Sequence, residues 1–236
     1  MTESGKGTAL ITGANRGIGE AIAVQLASAG YDLALLARDE QALAGVAAQC
    51  KELGARTISL CGELADEAFM DQAVAGVEEE FVGIDVLVNN AGTASSEAVQ
   101  DADLNRWRQV MDVNFHALVY LCHRVLPAMV QRSRGTIINI SSLSGRNTSA
   151  GSAIYSASKH AVNGFSGCMF EDVRDYGIKV STIMPGFVET TLTAGLGLNA
   201  KHMIQPGDVA AAVEYVLSAS AHCCPAEIVL RPQLRP

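Results

Sequence analysis

The chain has no excess of positive charge: 17 Lys and Arg stand against 25 Asp and Glu, a formal net charge of −8 at pH 7. That balance argues against broad electrostatic binding to nucleic acid or to an anionic membrane, so any anionic ligand must be met locally. No apolar run approaches the roughly 18 residues needed to cross a bilayer. The opening Met1-Thr2-Glu3-Ser4-Gly5-Lys6-Gly7 has neither the cationic nor the apolar region of a secretory leader, and the expected location is the cytoplasm. Six cysteines (Cys50, Cys61, Cys122, Cys168, Cys223 and Cys224) show no C-x-x-C and no framework spacing, so reduced, buried thiols are expected. The adjacent side chains of His222-Cys223-Cys224 cannot easily converge on one ion, and no metal is expected. Internal repeats and low-complexity segments are missing too. With 236 residues there is no room for a second full domain, while a hydrophobic fraction of 49% supplies one substantial core.

What is present alternates. Thr8 to Thr12 is a short apolar run that ends in Gly13-Ala14-Asn15-Arg16-Gly17-Ile18-Gly19, after which apolar residues recur in helical period to Gly30. Strand, glycine turn and helix in that order let a backbone approach a ligand and offer helix N-terminal N–H groups to a pyrophosphate. A second strand, Asp32 to Ala37, ends at Arg38, where a dinucleotide fold meets the adenosine ribose. A guanidinium there suits a 2′-phosphate, whereas an acidic residue would repel it; Arg16 supplies a second cation. The pattern therefore favours NADP(H) over NAD(H). Asp39 and Glu40 are read as favourable charges at the next helix start.

Helices over about 41–53, 66–81, 104–133, 153–176 and 206–219 are expected. Between them fall strands at 57–61, 86–88, 135–140, 180–184 and 227–230. This is an α/β pattern: a single three-layer, Rossmann-type domain spanning 1–236, with a doubly wound sheet of about seven parallel strands. Asn89-Asn90-Ala91-Gly92 closes the fourth strand with small and turn-forming residues. Asn114 is a misfit in the middle of a long helix, where a kink or a solvated face is the simplest reading. The stretch 187–205, rich in glycine and threonine and without periodicity, is a candidate lid.

Tyr155 and Lys159 lie four apart on a helix, one turn from each other on the same face. Such spacing alone more often marks an exposed helix face. A free phenol keeps its proton to pH about 10; a neighbouring ammonium is expected to lower that value and make Tyr155 an acid or base for an oxygen whose carbon exchanges a hydride. Ser142, on the loop after the fifth strand, could hydrogen-bond the same oxygen.

Together these motifs resemble the short-chain dehydrogenase/reductase family, over nearly the whole chain. Thr12 to Gly19 matches its TGxxxGIG cofactor turn, Asn89 to Gly92 its strand-end motif, and Pro185-Gly186 the turn beside the nicotinamide. Ser142 stands thirteen positions before Tyr155 and Lys159 four after it, matching the catalytic spacing, with Asn114 at the fourth catalytic position. Ser141 is the rival to Ser142, and spacing alone separates them.

The resemblance implies Tyr155 as acid/base and Ser142 as the group that polarises the carbonyl. It implies that Lys159 lowers the tyrosine pKa and bonds the nicotinamide ribose, and that Asn114 holds a proton-relaying water. It implies cofactor contacts at Gly13, Asn15, Arg16, Gly17, Ile18, Gly19, Arg38, Leu64, Asn90, Ala91, Gly92, Tyr155, Lys159, Pro185, Gly186, Val188 and Thr190. Glu63 stands where the family usually has an aspartate against adenine. The C-terminal Glu227-Ile228-Val229-Leu230-Arg231-Pro232 lacks the frequent double glycine and looks like a subset of NADP-dependent hydroxy-acid and aldehyde reductases. The expected function is an NADP(H)-dependent oxidoreductase acting on a small carbonyl or alcohol substrate, a carbonyl reductase in type, assembled as a homodimer or homotetramer. An NAD-dependent alcohol dehydrogenase or a non-catalytic NADP(H) sensor or scaffold are the alternatives. Substrate walls are expected at 93–99, 143–151 and 187–202, with Arg146 either a carboxylate clamp or structural.

Overall fold

A computed structural model describes residues 5–236; residues 1–4, part of the opening stretch read for a leader, lie outside the described residues. Strand β1 (Thr8–Thr12) is buried at every position, as expected of a parallel strand covered on both faces. It is followed by α1 (Gly17–Ser28), β2 (Asp32–Ala37), α2 (Glu40–Glu52), β3 (Thr57–Cys61), α3 (Glu67–Glu80) and β4 (Val86–Asn89). The second half holds α4 (Leu104–Met111), α5 (Ala117–Arg132), β5 (Gly135–Ile140), α6 (Ala153–Val173), β6 (Ile178–Pro185), α7 (Pro206–Ser218) and β7 (Glu227–Leu230).

The seven strands form one parallel sheet in the order β3-β2-β1-β4-β5-β6-β7. Alternate residues of each strand serve opposite layers. Ala9, Ile11, Leu33 and Leu35 pack with Ile22, Leu43 and Val209 of α1, α2 and α7. Leu10, Ala34, Leu36 and Leu87 pack with Met70, Leu121 and Val162 of α3, α5 and α6. The three-layer doubly wound fold expected from the alternation is the one observed. Chain order runs outward from β1 to β3 and then returns to β4 on the other side, so a crevice opens at the carboxyl ends of β1 and β4.

Local chemistry sets the helix starts. Asp39, Asp66 and Asp103 each cap a helix, accepting from Ala42 N at 3.0 Å, Ala68 N at 3.0 Å and Asn105 N at 2.9 Å. The charge expected to favour the start of α2 thus acts as a cap.

The long helix expected over 104–133 is continuous from Leu104 to Arg132 but carries a π turn at Asp112–His116, and Ser133 ends it in the left-handed region at φ 51°. Asn114 sits in that π turn at 2% exposure. This overturns the solvated-face reading and gives the irregularity a physical form, since one extra residue per turn re-aims a side chain that a regular helix would direct elsewhere. The helix is also long and apolar enough to cross a membrane by length and composition, which an inspection of uninterrupted apolar runs missed. Leu118, Leu121, Cys122, Val125 and Met129 are buried in the core of this protein.

The helix after Ser152 gives way at Arg174–Tyr176 to a tighter turn, and β6 extends two residues earlier than its apolar run. The expectation of uniformly buried thiols holds only for Cys50 and Cys122; Cys61, Cys168 and Cys223 are exposed and Cys224 is partly so, all six being free. Cys61 lies at a strand end, Cys223 and Cys224 in a loop, and Cys168 on the exposed face of α6.

Candidate active site

The crevice is built by two strand ends that hold each other. Thr12 Oγ1 accepts from the backbone N–H groups of Asn90 and Ala91, both at 3.0 Å. In return Asn90 Nδ2 donates to Thr12 O at 2.9 Å and to Gly13 O at 3.2 Å. Gly13 has φ 64°, and a Cβ on it would lie 3.0 Å from Ala91 Cα; both its conformation and its neighbour demand glycine. Helix α1 starts at Gly17, φ 59°, after an extended Arg16 that offers no side-chain cap. The first-turn N–H groups of α1 therefore lack a capping side chain, the condition under which a helix N-terminus takes an anion.

Around this cradle, Asn15 is half-buried in the turn, Arg16 is exposed, and Ile18 packs on the core. Thr190 Cγ2 would lie 3.2 Å from a Cβ on Gly17, so the 187–205 segment crosses the turn. That segment is anchored at both ends by a parallel bridge between Val188 and Ile204, 4% and 6% exposed, while Leu192 and Leu196 in its middle are 48% and 53% exposed. Pro185 is buried at the end of β6, and Gly186 N donates to Leu230 O at 2.9 Å. On the other flank Leu64 is buried, and Arg38 and Glu63 are exposed and face each other, Nη1 to Oε1 3.5 Å.

Ser142, Tyr155, Lys159 and Asn114 come together next to this cradle. Ser142 caps the turn Leu143–Gly145 by accepting from Ser144 N at 3.1 Å, and its hydroxyl hydrogen-bonds the Tyr155 phenol. Ser141 is 3% exposed and donates to Lys159 O at 3.3 Å. The structure thus separates the two serines, committing Ser141 to the backbone of α6 and leaving Ser142 beside the phenol. Lys159 is 4% exposed, donates from Nζ to Ile140 O at 2.9 Å and stands 5.9 Å from the Tyr155 ring centroid. Asn114 Oδ1 accepts from Thr93 N at 2.8 Å, and its Nδ2 donates to Thr93 O at 2.9 Å and Ser158 Oγ at 3.0 Å. Both amide hydrogens are used by the protein. A Cβ on Gly92 would meet Asn114 Oδ1 at 3.4 Å and Lys159 Nζ at 3.7 Å, so the strand end after β4 closes over both.

The electrostatics correct one expectation. Burial pushes the Tyr155 phenol above its ordinary pKa, and the Ser142 hydrogen bond only partly opposes it. The Lys159 ammonium donates to the Ile140 carbonyl rather than to the phenol, and burial brings the lysine itself down to about 8.

A buried lysine of this kind has a stability signature. The folded pKa is depressed, so the folded chain carries the full cost of the buried charge below pH 8, and the cost lifts as pH rises towards the unfolded value. The difference in unfolding free energy between the wild type and Lys159→Met is expected to shrink by about 2 kcal/mol between pH 7 and 9.5. Urea unfolding of both proteins at the two pH values checks this; a pH-independent difference would mean that Lys159 is not a buried cation.

Two groups have roles that no sequence pattern disclosed. Glu97 accepts from Ser95 Oγ at 2.5 Å, Trp107 Nε1 at 2.8 Å and Asp103 N at 3.3 Å, and its own N–H donates to Gly151 O at 3.0 Å. The Ser95 hydrogen bond above all holds its carboxyl below the usual range. It braces the 93–103 wall against the loop that leads into Tyr155. Gly145 packs so close to α6 that a Cβ would lie 2.6 Å from Asn163 Nδ2 and 2.8 Å from Lys159 O, which sets the Ser142 loop against the helix. These partners are scattered in sequence, and only the glycine, by its lack of a side chain, was a legible signal. Arg146 is ion-paired with Glu227 of β7, the structural one of its two readings.

Residues 7–201 match the family described as short chain dehydrogenase. An uncharacterized oxidoreductase of Staphylococcus saprophyticus is 34% identical over 233 residues, covering 98% of this chain and 100% of that protein. One from Staphylococcus aureus is 33% identical over 224 residues, 95% and 96% of the two chains. Among solved structures, a metagenomic short-chain oxidoreductase in complex with NADP superimposes with a TM-score of 0.85 at 32% identity over 97% of each chain. A variant of the actinorhodin polyketide ketoreductase with NADPH gives 0.88 at 28% identity over 95% of each. Fold, motif order and relatives agree: the chain belongs to the short-chain dehydrogenase/reductase family of oxidoreductases.

Proposed function

We propose that this protein is an NADP(H)-dependent oxidoreductase that interconverts a ketone or aldehyde with its alcohol. The observation that carries the reading is the convergence of Ser142, Tyr155, Lys159 and Asn114 beside a glycine cradle in which a Cβ on Gly13 or Gly19 would collide with backbone. That cradle, with uncapped N–H groups at α1, fits a pyrophosphate. When bound, the nicotinamide supplies or accepts the hydride.

The chain's own residues do the rest. Ser142, its oxygen already accepting from Ser144 N, donates towards the substrate oxygen. Tyr155, kept protonated at neutral pH by burial, gives that oxygen its proton in the reductive direction. Lys159, on the buried face of α6, would hold the nicotinamide ribose when the cofactor is bound. The Asn114 amide is held by Thr93 and Ser158, which fixes it beside Lys159 as the residue assigned to hold a proton-relaying water. The remaining cofactor contacts are assigned to Asn15, Ile18, Leu64, Asn90, Ala91, Gly92, Pro185, Gly186, Val188 and Thr190.

Preference for NADP(H) rests on Arg38 and Arg16, two exposed cations flanking the ribose end of the crevice, and agrees with the NADP and NADPH of the two neighbouring structures. Fluorescence titration of NADPH and NADH, run beside NADPH oxidation with a panel of ketones and aldehydes, tests the whole reading. Arg38→Asp is expected to reverse the preference, weakening NADPH by about 100-fold through the combined loss of a phosphate hydrogen bond and gain of repulsion. An unchanged NADPH/NADH ratio would overturn the assignment of Arg38. Binding without turnover across the panel would favour the sensor.

The substrate is proposed to be a small or medium apolar carbonyl compound, because the walls at 93–99, 143–151 and 187–202 mix apolar and small polar side chains and Arg146 is engaged by Glu227. Assembly as a homodimer or homotetramer through the outer faces of the 104–132 and 153–176 helices, and a cytoplasmic location, complete the reading.

A further inference from the structure

The ends of β2 and β3 are tied together: Ala37 pairs with Cys61, Gly62 N donates to Ala37 O at 3.1 Å, and Cys61 Sγ donates to Arg38 O at 3.2 Å. From these adjacent ends emerge Arg38 and Glu63, with 3.5 Å between Nη1 and Oε1 and side chains 62% and 58% exposed. The adjacent Asp39 carboxylate is committed to capping α2. An aspartate at position 63 would be one methylene shorter; glutamate has the reach to set its carboxylate against the guanidinium.

A pair this long and this exposed contributes little to stability. It also has poor geometry for holding a guanidinium in place, since good N–H···O bonds are near 2.9 Å. Its main consequence is electrostatic, a negative charge stationed at the cation that the preceding reading assigns to the 2′-phosphate.

We propose that Glu63 sets cofactor selectivity by competing with the 2′-phosphate for Arg38, so that it reduces the preference for NADP(H) over NAD(H). The inference rests on the assignment of Arg38 made above. Binding of NADPH to the ligand-free protein has to displace the carboxylate or place a phosphate carrying about −1.5 to −2 charge beside it, whereas NADH brings no such charge.

The test is fluorescence titration of NADPH and NADH with wild type, Glu63→Gln, Arg38→Ala and the double variant, with no turnover required. Glu63→Gln is expected to tighten NADPH about fivefold, the effect of releasing Arg38 from one exposed ion pair worth up to about 1 kcal/mol, and to leave NADH within about twofold. The gain should shrink as salt shortens the Debye length from about 30 Å at 0.01 M to about 3 Å at 1 M, and it should largely vanish in the Arg38→Ala background. Weaker NADPH binding by Glu63→Gln would show that the carboxylate orients Arg38 instead, and an equal change for both cofactors would show that it contacts adenine; either overturns the proposal while Arg38→Ala still weakens NADPH. Unaltered NADPH binding by Arg38→Ala would overturn both the proposal and the assignment beneath it.

Discussion

Tyr155→Phe is expected to lower turnover by about 10²–10⁴-fold, the usual worth of a positioned general acid or base, while the dissociation constant of NADPH stays close to that of the wild type. The ring fills the same space, so the packing of α6 is preserved. On the proposed mechanism what goes is the hydroxyl that gives a proton to the substrate oxygen, while Lys159 stays on Ile140 O and Ser142 on Ser144 N. Loss of the phenol also removes a desolvated group whose proton is held more tightly than in water, so thermal stability should not fall by more than about 1 kcal/mol, the typical worth of one hydrogen bond. With wild type, reduction should be flat across neutral pH and decline only at alkaline pH, where a raised phenol begins to lose its proton. Initial rates of NADPH oxidation with a turned-over carbonyl, read beside NADPH fluorescence titration, separate the two effects. Residual turnover within tenfold of wild type would remove Tyr155 from the chemistry.

Gly19→Ala should strike at the opposite end of the crevice. A Cβ on Gly19 would lie 2.8 Å from the Gly13 carbonyl carbon and 2.6 Å from Asn90 Nδ2. The turn cannot yield cheaply, because Gly13 is already at φ 64° and the Asn90 amide is what pins Thr12 and Gly13 to the end of β4. Overpacking of this kind costs about 1–3 kcal/mol of stability. Because the displaced atoms line the anion cradle itself, NADPH binding is expected to weaken by more than about tenfold, each 1.4 kcal/mol being one decade. Gly45→Ala in the middle of α2 is the control, since a Cβ there meets nothing within 4 Å. It should stabilise the chain by roughly 0.5–1 kcal/mol through helix propensity, with cofactor binding unchanged. Equal behaviour of the two variants would mean that the Gly19 contact is not a constraint on the cradle.

Much of this molecule was legible in its residues because the governing signals are local. Continuous apolar runs such as Thr8–Thr12 and Asp32–Ala37, separated by helical periods, allow little besides buried parallel strands with crossover helices, and the seven strands follow. Gly13 and Gly17 announced a sharp turn, and their φ values of 64° and 59° are what glycine alone adopts freely. The spacing of Ser142, Tyr155 and Lys159 brought them to one place, as the buried lysine and the Ser142 hydrogen bond to Tyr155 attest. Boundaries drifted by one or two residues where caps decide them, as at Asp39 and Asp66.

The remainder depended on partners far apart in the chain. Asn114 read as a misfit until the π turn and its bonds to Thr93 and Ser158, 21 and 44 positions away, gave it a place. Ser141 and Ser142 differ in their surroundings because only Ser141 meets Lys159 O of α6. The direction of the Tyr155 shift was decided by how deeply the phenol is buried, which no spacing encodes. Arg146 and Glu63 found their partners, Glu227 and Arg38, across strand ends 81 and 25 residues apart. The sequence by itself determined the fold, the position of the glycine turn and which polar side chains gather beside it, because periodicity, glycine conformation and i, i+4 spacing act over one or two turns. Only the tertiary structure decided their protonation, their hydrogen-bond partners and the charge set against Arg38, because desolvation and Coulomb interaction depend on distances that the chain closes only when the sheet is assembled.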